Sequence, residues 1–169
     1  MQETGDIHDL LSLKDKLYRL ALRITLDTAE AEDIVQDTML KVWSDRQGWS
    51  RLRSLEAFCM TVARNLAIDR SRKSDAHTEE LSPEAHEMPD RLTPLDDVER
   101  DEQMRLIHGI ISRLPEKLRT VIQLRDIEGM SYREIAAVMQ ITEEQVKGTL
   151  FRARQRVKSE YNEIDKYGL

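Results

Sequence analysis

Apolar residues, joined in one set by a threonine, recur three or four positions apart in four stretches of the chain, three in its N-terminal part and one after Pro115. The four sets are Leu10, Leu13, Leu17, Ala21 and Ile24; Ala31, Val35, Thr38 and Val42; Phe58, Val62 and Leu66; and Leu118, Val121 and Ile122. This spacing places the members of each set on one face of an α-helix. The pattern therefore predicts three or four packed helices in the N-terminal part and a second helical unit further along the chain.

Residues with helix-capping chemistry stand next to these stretches. Asp27 precedes Glu30 by three positions, and Ser54 comes directly before the sequence LEAF. An oxygen-bearing side chain at such a position can accept a hydrogen bond from a free amide of the first helical turn. Pro115 suits the first turn of a helix, and Gly129 is placed to end it. These positions predict where three of the helices begin and where one of them ends.

Residues 131–156 contain two capping patterns eleven positions apart, Ser131 with Glu134 and Thr142 with Gln145. Each has the spacing at which a hydroxyl and an acid or amide cap one another's amides at a helix start. Small Ala136 between them would let the two helices cross closely. The pattern predicts a helix-turn-helix, a motif whose second helix enters the major groove of DNA.

The second helix of this motif carries a basic face. Lys147, Arg152 and Arg154 suit contacts to phosphate or guanine, and Glu144 lies beside them. Gly148 costs about 0.5–1 kcal/mol of helix stability relative to alanine, a cost that close approach of the backbone to DNA would justify. The alternative is an ordinary helical hairpin with a solvated basic face, and the paired caps and clustered bases favour DNA binding.

The chain has a formal net charge of -6, which conflicts at first sight with DNA binding, because DNA binding requires cations. The distribution of the charges along the chain resolves this conflict. Between Asp75 and Glu102 there are eleven acidic residues and two basic ones, together with three of the four prolines. A proline-rich acidic stretch of this kind predicts a linker. We therefore expect a domain at residues 1–73, an acidic linker at 74–101 and a second domain at 102–169.

Other chemistries find little support in the sequence. Its start has no basic region followed by an apolar stretch, no apolar run is long enough to cross a bilayer, and Cys59 is the one cysteine. The histidines are scattered, and there is no glycine-rich phosphate loop. These features predict a cytoplasmic all-α protein that is not an enzyme, holds no metal and needs no cofactor, with Cys59 in a helix core.

Two further segments allow a binding or a structural interpretation. Trp49 lies between Arg46 and Arg51 in a predicted loop, where it could stack an unpaired base or pack under the core. The helix around Asp33 and Asp37 has an acidic outer face next to Leu40. Such a face is either simply solvated or an interface for a basic partner.

Together these segments resemble the extracytoplasmic-function (ECF) group of bacterial sigma factors, the small two-domain initiation subunits of RNA polymerase. The resemblance rests on AEDIVQDTMLKVW, FCMTVARNLAIDRSRK and LPEKLRTVIQLRDIEGMSYREIAAVMQITEEQVKGTLFRARQRVK, in this order and at the expected spacing. It covers nearly the whole chain. It implies two small helical domains, a region 2 bundle and a region 4 helix-turn-helix, joined by the acidic linker.

The resemblance also implies a role for individual positions. The residues implied to bind the coiled coil of the largest polymerase subunit are Asp33, Gln36, Asp37 and Leu40. Those implied to bind the −10 promoter element are Trp49, Arg51, Arg64, Asn65, Asp69, Arg70, Arg72 and Lys73. Those implied to bind the −35 element are Ser131, Arg133, Thr142, Glu143, Glu144, Gln145, Lys147, Gly148, Thr149, Arg152 and Arg154.

The partners implied are the RNA polymerase core, through its coiled coil and flap, promoter DNA, and an anti-sigma protein. Two features depart from the family: GWSRLR stands where many relatives have an Arg-Gly-Glu-like stretch, and Gln140 stands where glycine is common. A left-handed Gln140 would cost about 1 kcal/mol.

Two alternatives to a sigma factor exist. A stand-alone helix-turn-helix regulator, with the N-terminal bundle as a sensor or dimerisation module, would bind an operator without polymerase. A pure interaction module would not use DNA at all.

Overall fold

The structure, a computed structural model, describes residues 3–77 and 98–166, and all regular elements in these two ranges are helical. The α-helices are α1 (Glu3–Ser12), α2 (Lys14–Thr25), α3 (Thr28–Ser44), α4 (Leu55–His77), α5 (Val98–Arg113), α6 (Glu116–Ile122), α7 (Tyr132–Met139) and α8 (Glu143–Lys166). A 3-10 helix (Arg46–Arg51) joins α3 to α4, and a π-helical segment (Gln123–Ile127) continues α6. The expected all-α fold is confirmed.

The N-terminal bundle is built by α2, α3 and α4, which pack against one another, with α1 against α2. Its core contains Leu17, Leu20, Ile34 and Met60, all fully buried. The first two predicted apolar sets are buried throughout. Asp27 caps α3 as expected, since its side chain accepts a hydrogen bond from the amide of Glu30 at 3.2 Å.

Helix α4 differs from the prediction in the face that it buries. Val62 is buried, but Phe58 and Leu66 are only half-buried, while Cys59 and Met60 are fully enclosed. The cause is that α4 packs against α2 and α3 on one side and against α7 on another. A helix with neighbours on two sides buries more than one apolar stripe. Cys59 is fully buried in the bundle, as expected for a core residue, and this burial raises the pKa of its thiol to about 12.

The C-terminal unit is formed by α5 to α8, with Val121, Leu124, Ile135 and Leu150 among its buried residues. Pro115 stands directly before α6. After the π-helical segment, the chain turns at Gly129. Its φ of 73° is a left-handed conformation that glycine adopts without steric cost.

The two units pack directly on each other, through α4 against α7 and α2 against α6, and their buried apolar residues form one continuous cluster. The sequence left this arrangement open. Helix α4 continues to His77 and α5 begins at Val98, so both helices extend into the range expected for the linker. Residues 78–97 of that range lie outside the described residues, and the domain boundaries stay a prediction.

Candidate polymerase and DNA interfaces

Both capping boxes of the helix-turn-helix are closed. Ser131 Oγ accepts from the amide of Glu134 at 3.1 Å, and Glu134 Oε1 accepts from the amide of Ser131 at 3.3 Å. At the second helix, Thr142 Oγ1 accepts from the amide of Gln145 at 3.1 Å, and Gln145 Oε1 accepts from the amide of Thr142 at 2.9 Å. These bonds satisfy amides that would otherwise lack partners at each helix start. They fix where α7 and α8 begin.

The turn between the two helices passes through Gln140, which is left-handed with φ 57° and ψ 46°. Its amide donates to the carbonyl of Ala136 and closes α7. The left-handed conformation that the sequence analysis considered for Gln140 is therefore present in a residue with a Cβ, at a cost of about 1 kcal/mol. Apolar packing offsets this cost, because Met139 and Val146 on either side of the turn are buried.

Most of the predicted −35 residues lie on the surface of α7 and α8. The accessible ones are Ser131, Arg133, Thr142, Glu143, Glu144, Gln145, Lys147, Arg152 and Arg154. Thr149 is a correction, since only 7% of it is exposed and it lies on the buried side of α8 beside Leu150. Its hydroxyl accepts a hydrogen bond from Arg152 at 3.3 Å. Thr149 therefore supports the orientation of Arg152 and does not itself face solvent.

The cations of this face differ in how firmly they are held. Arg154 forms two hydrogen bonds to Asp126, one of them from Nε at 3.0 Å, and these bonds raise the pKa of Arg154 above its ordinary value. Lys147 lies over the ring of Tyr132 at 5.8 Å, a longer and weaker contact. Lys147 is thus the more readily available to a phosphate group.

Gly148 is not required by the packing of the chain itself. A Cβ at this position would lie 3.4 Å from the guanidinium of Arg152, which is the end of a flexible side chain. The space beyond it opens into a cleft of about 790 Å³ lined by Arg64, Lys117, Thr142 and Arg152, among others. The start of α8 therefore faces α4 across an open cleft in this arrangement.

Arg64 is a second correction. It was expected among the exposed cations of α4, but it is 9% exposed and points toward the C-terminal unit. Its Nη2 donates to Glu116 Oε2 at 3.5 Å, and its Nε lies 3.3 Å from Glu116 Oε1 without hydrogen-bonding geometry. In this arrangement Arg64 joins the two units and is not available to DNA.

The remaining α4 residues of the predicted −10 set lie toward the C-terminal end of the helix. Asn65, Asp69, Arg72 and Lys73 are accessible. The structure brings these four residues together on the accessible part of the helix. Arg70 differs from them because its guanidinium turns toward α3.

The segment expected to be a loop around Trp49 is a 3-10 helix. Trp49 is half-buried, its Nε1 donates to the carbonyl of Val42 at 3.0 Å, and its ring meets the edge of Trp43 at a centroid distance of 5.9 Å. Arg46 covers the other aromatic ring, with its guanidinium carbon 4.8 Å from the Trp43 centroid. Of the two interpretations of Trp49, this arrangement favours packing against the core, while the exposed Arg51 remains open to a ligand.

The acidic face of α3, which we define as Glu30, Asp33 and Asp37, includes two of the four residues expected to bind polymerase, Asp33 and Asp37. Arg70 donates to Glu30 at 3.2 Å, to Asp33 at 2.5 Å and also to Asp37. Partial burial lowers the pKa of Arg70, but the bonds and charges of these carboxylates outweigh it and raise the pKa above its ordinary value.

Two neighbours on α3 complete the predicted polymerase-binding set. Gln36 is exposed, and Leu40 exposes 70% of its surface. The four predicted residues thus share one accessible side of α3, and this side presents both charge and an apolar side chain.

The interface between the two units contains a residue that the sequence did not single out. Arg23 is fully buried, and it donates to Gln123 Oε1 at 2.9 Å and to Ser112 Oγ at 3.4 Å. Its Nη2 lies 2.8 Å from Nδ1 of His108. Burial lowers the pKa of His108 to about 4, so the imidazole is neutral at pH 7 and accepts this hydrogen bond.

A signal for Arg23 was present in the sequence. Arg23 lies between Leu22 and Ile24 in the C-terminal half of α2, where apolar residues occur on all sides of the helix. Leu20, Ala21, Leu22 and Ile24 are all buried. A helix that is apolar all round has neighbours on more than one side. An arginine in that setting must be paired, because an unpaired buried charge is costly.

Phe151 is a second residue that the sequence motifs did not indicate. It exposes 64% of its surface on α8, four positions after Lys147 and three before Arg154. Residues at this spacing share one side of a helix. An exposed aromatic side chain between two cations on the second helix of the motif is a candidate contact residue.

The described residues contain no group of three or more His, Cys, Asp or Glu side chains that could hold a metal ion. None of their helices is long and apolar enough to cross a membrane.

Family comparisons match both units. The sigma-70 region 2 family matches residues 10–77, and the sigma-70 region 4 family matches residues 104–157. The chain is 34% identical over 163 residues to the RNA polymerase sigma-H factor of Pseudomonas aeruginosa, covering 88% of this chain and 83% of that protein. It is 31% identical over 169 residues to the ECF RNA polymerase sigma factor SigW of Bacillus subtilis, covering 95% and 89%.

Two solved structures share the fold. One is the sigma factor RpoE in complex with the anti-sigma factor NepR from Bartonella quintana, with a TM-score of 0.77, 24% identity and coverage of 95% of this chain and 98% of that one. The other is CnrH in complex with the cytosolic domain of CnrY, with a TM-score of 0.63, 22% identity and coverage of 92% and 86%.

A region 2 bundle followed by a region 4 helix-turn-helix defines the class of sigma-70 transcription initiation factors. The chain belongs to the ECF group of this class, whose members bind the RNA polymerase core and direct it to promoters. The expected family and function are confirmed, and the stand-alone regulator is not favoured.

Proposed function

We propose that this sigma factor divides its work between three surfaces: the acidic face of α3 for core polymerase, the C-terminal end of α4 for the −10 element, and the exposed side of α8 for the −35 element. The observation that carries this proposal is the helix-turn-helix with both capping boxes closed and its basic side chains accessible. The protein performs no catalysis of its own and acts in the cytoplasm, where polymerase and promoters are found.

At the −35 element, Lys147 and Arg152 contact the duplex, and Gly148 lets the backbone of α8 approach it. Among the described residues, the contact that holds Lys147 is the one with the ring of Tyr132 at 5.8 Å, so its move to a phosphate costs little. Removing one cation that binds a phosphate lowers the slope of log affinity against log salt by about one. Lys147→Ala should therefore weaken promoter binding and reduce this slope.

At the polymerase, the carboxylates of Asp33 and Asp37 meet basic side chains, and Leu40 supplies apolar contact. Leu40 exposes 70% of its surface, so its side chain is available for apolar contact with a partner beside the carboxylates of α3. Gln36, exposed on the same side of α3, completes this surface.

At the −10 element, Arg51, Arg72 and Lys73 are accessible cations, and Asn65 and Asp69 are accessible polar groups on α4. Trp49 ties the 3-10 helix that carries Arg51 to α3, because its Nε1 donates to the carbonyl of Val42. Arg64 can join it only when α4 separates from α6, because Glu116 holds it in the packed arrangement.

The test is promoter-specific transcription with core polymerase and a library of promoter fragments, with and without the purified chain. The variants are Leu40→Ala for the polymerase surface and Lys147→Ala/Arg152→Ala for the −35 surface, with Lys158→Ala as a matched exposed cation further along α8. We expect initiation from a promoter subset, lost in the first two variants and retained in the control. The absence of stimulated initiation from any promoter would refute the proposal, and an unaffected Lys147→Ala/Arg152→Ala variant would refute its −35 surface.

A further inference from the structure

Arg70 lies between the two surfaces that the proposed function assigns to different partners. It belongs to α4, beside the accessible Asp69 and Arg72 of the −10 surface, yet its guanidinium bonds to Glu30, Asp33 and Asp37 on α3. The N–H groups of this guanidinium that bind the carboxylates cannot bind a DNA phosphate at the same time. The acidic face of α3 and DNA therefore compete for Arg70.

Charge and exposure favour exchange at this cluster. Three carboxylates face one guanidinium, so the cluster retains negative charge and attracts a further cation. The side chains of Asp33, Glu30 and Asp37 are 60%, 47% and 44% exposed, whereas that of Arg70 is 23% exposed. A cation from solvent thus reaches the carboxylates more easily than a phosphate reaches Arg70. Ion pairs with this much solvent access contribute little to stability, so their partners can change.

We infer that Arg70 couples polymerase binding to DNA binding: the acidic face of α3 holds its guanidinium in the free chain, and a basic polymerase surface that takes over these carboxylates releases it to promoter DNA. This inference rests on the proposed function for the identity of the basic partner. Because coupling between two binding sites is reciprocal, DNA that binds Arg70 also frees the carboxylates for polymerase.

The first test measures the affinity of the free chain for a fluorescein-labelled mixed-sequence single-stranded DNA by anisotropy at several salt concentrations. Asp33→Asn removes one carboxylate from Arg70. Glu32→Gln, its neighbour on α3, removes the same charge from an exposed residue that is not among the carboxylates paired with Arg70. We expect Asp33→Asn to bind DNA about two- to fivefold more tightly than Glu32→Gln, the range that a solvent-screened ion pair supports.

The same pair of variants in an Arg70→Ala background isolates the role of Arg70. There the difference between Asp33→Asn and Glu32→Gln should disappear, since no guanidinium is left to release. Equal affinities of the two variants in the native background, or a difference that persists without Arg70, would overturn the inference.

The second test measures the affinity of Arg70→Ala for core polymerase. Freed carboxylates should make this variant bind core more tightly than the native chain, while it binds DNA more weakly. A merely structural role would weaken both, and circular dichroism melting shows whether the fold persists. Weaker binding to core by a folded Arg70→Ala would overturn the release step. If the native chain itself fails to bind core, the proposed function fails, whereas the DNA measurements on the free chain still decide whether the acidic face holds Arg70.

Discussion

Arg23 and Arg70 are each held by three side chains from other helices, but in opposite surroundings. Arg23 is fully buried between the two units and bonds to Gln123, Ser112 and His108, none of which is charged at pH 7. Arg70 lies at the surface and bonds to three carboxylates. The strongly charged cluster is thus the one exposed to solvent, and the buried arginine has no carboxylate among these partners.

This difference separates a structural role from an exchangeable one. Buried polar groups that lose a partner pay the full cost of desolvation, whereas exposed ion pairs are screened and easily replaced by water or another ion. Burial also lowers the pKa of Arg23 to about 10, still well above neutrality. Arg23 is therefore expected to hold the two units together, and Arg70 to change partners at little cost.

The largest effect is expected for Arg23→Ala. Loss of this side chain leaves Gln123 and His108 without their partner in a buried site and opens a cavity, which should lower the free energy of unfolding by about 2–4 kcal/mol. Urea unfolding followed by circular dichroism measures this change. The control is Lys14→Ala at the exposed start of the same helix, and a loss for Arg23→Ala no larger than the control would remove the distinction between the two arginines.

Acid should weaken the same interface. The pKa of His108 is about 4 in the folded chain, below its ordinary value of 6.5. Between these pH values the unfolded chain binds more protons, so stability rises with pH there and is lost as pH falls from 6.5 toward 4. Lowering the pH from 7 to 4.5 should cost about 2–3 kcal/mol from this group.

Urea unfolding at a series of pH values measures the acid effect, with His108→Gln as the control. Glutamine can still accept the hydrogen bond from Arg23 but has no proton to gain. The charged groups that act on this site are Arg23 and, through it, Arg119. Parallel pH profiles for the native chain and His108→Gln would contradict the assignment.

An intermediate effect is expected at the pair that joins Arg19 to Glu128. The guanidinium donates two hydrogen bonds, at 2.6 Å and 2.8 Å, to a carboxylate whose side chain is 1% exposed, while Arg19 itself is 24% exposed. Glu128→Gln keeps the shape but removes the charge, and should lower the free energy of unfolding by about 1–2 kcal/mol. If Glu128→Gln lowered the free energy of unfolding by as little as Arg70→Ala, burial of one partner would not be enough to strengthen the ion pair.

The smallest effect on stability is expected for Arg70→Ala, at about 0.2–1 kcal/mol. Its thermal melting curve should remain close to that of the native chain, and the difference should shrink further as salt is added. A loss comparable to that of Arg23→Ala would mean that Arg70 is structural, in conflict with the exchange proposed above.

Local chemistry in the sequence predicted much of the helix-turn-helix correctly. The capping pairs at Ser131 and Thr142 and the left-handed Gly129 depend on contacts within a few positions, so neighbouring residues decide them. The errors fall where a helix meets a distant part of the chain. Arg64 was expected at the surface but faces Glu116, and Thr149 was expected to face DNA but points to the core.

The sequence by itself determined the helical class, the main apolar faces and the caps, because periodicity and capping are properties of short segments, and it determined the family because the order of the motifs can be read along the chain. Only the tertiary structure decided that the two units pack together, that Arg23 is enclosed between them, and that Arg70 of α4 is held by the acidic face of α3. The physical reason is separation along the chain: Arg23 and Gln123 are 100 positions apart, and Arg70 and Asp33 are 37 apart. Only the packing of whole helices brings such partners within hydrogen-bonding distance.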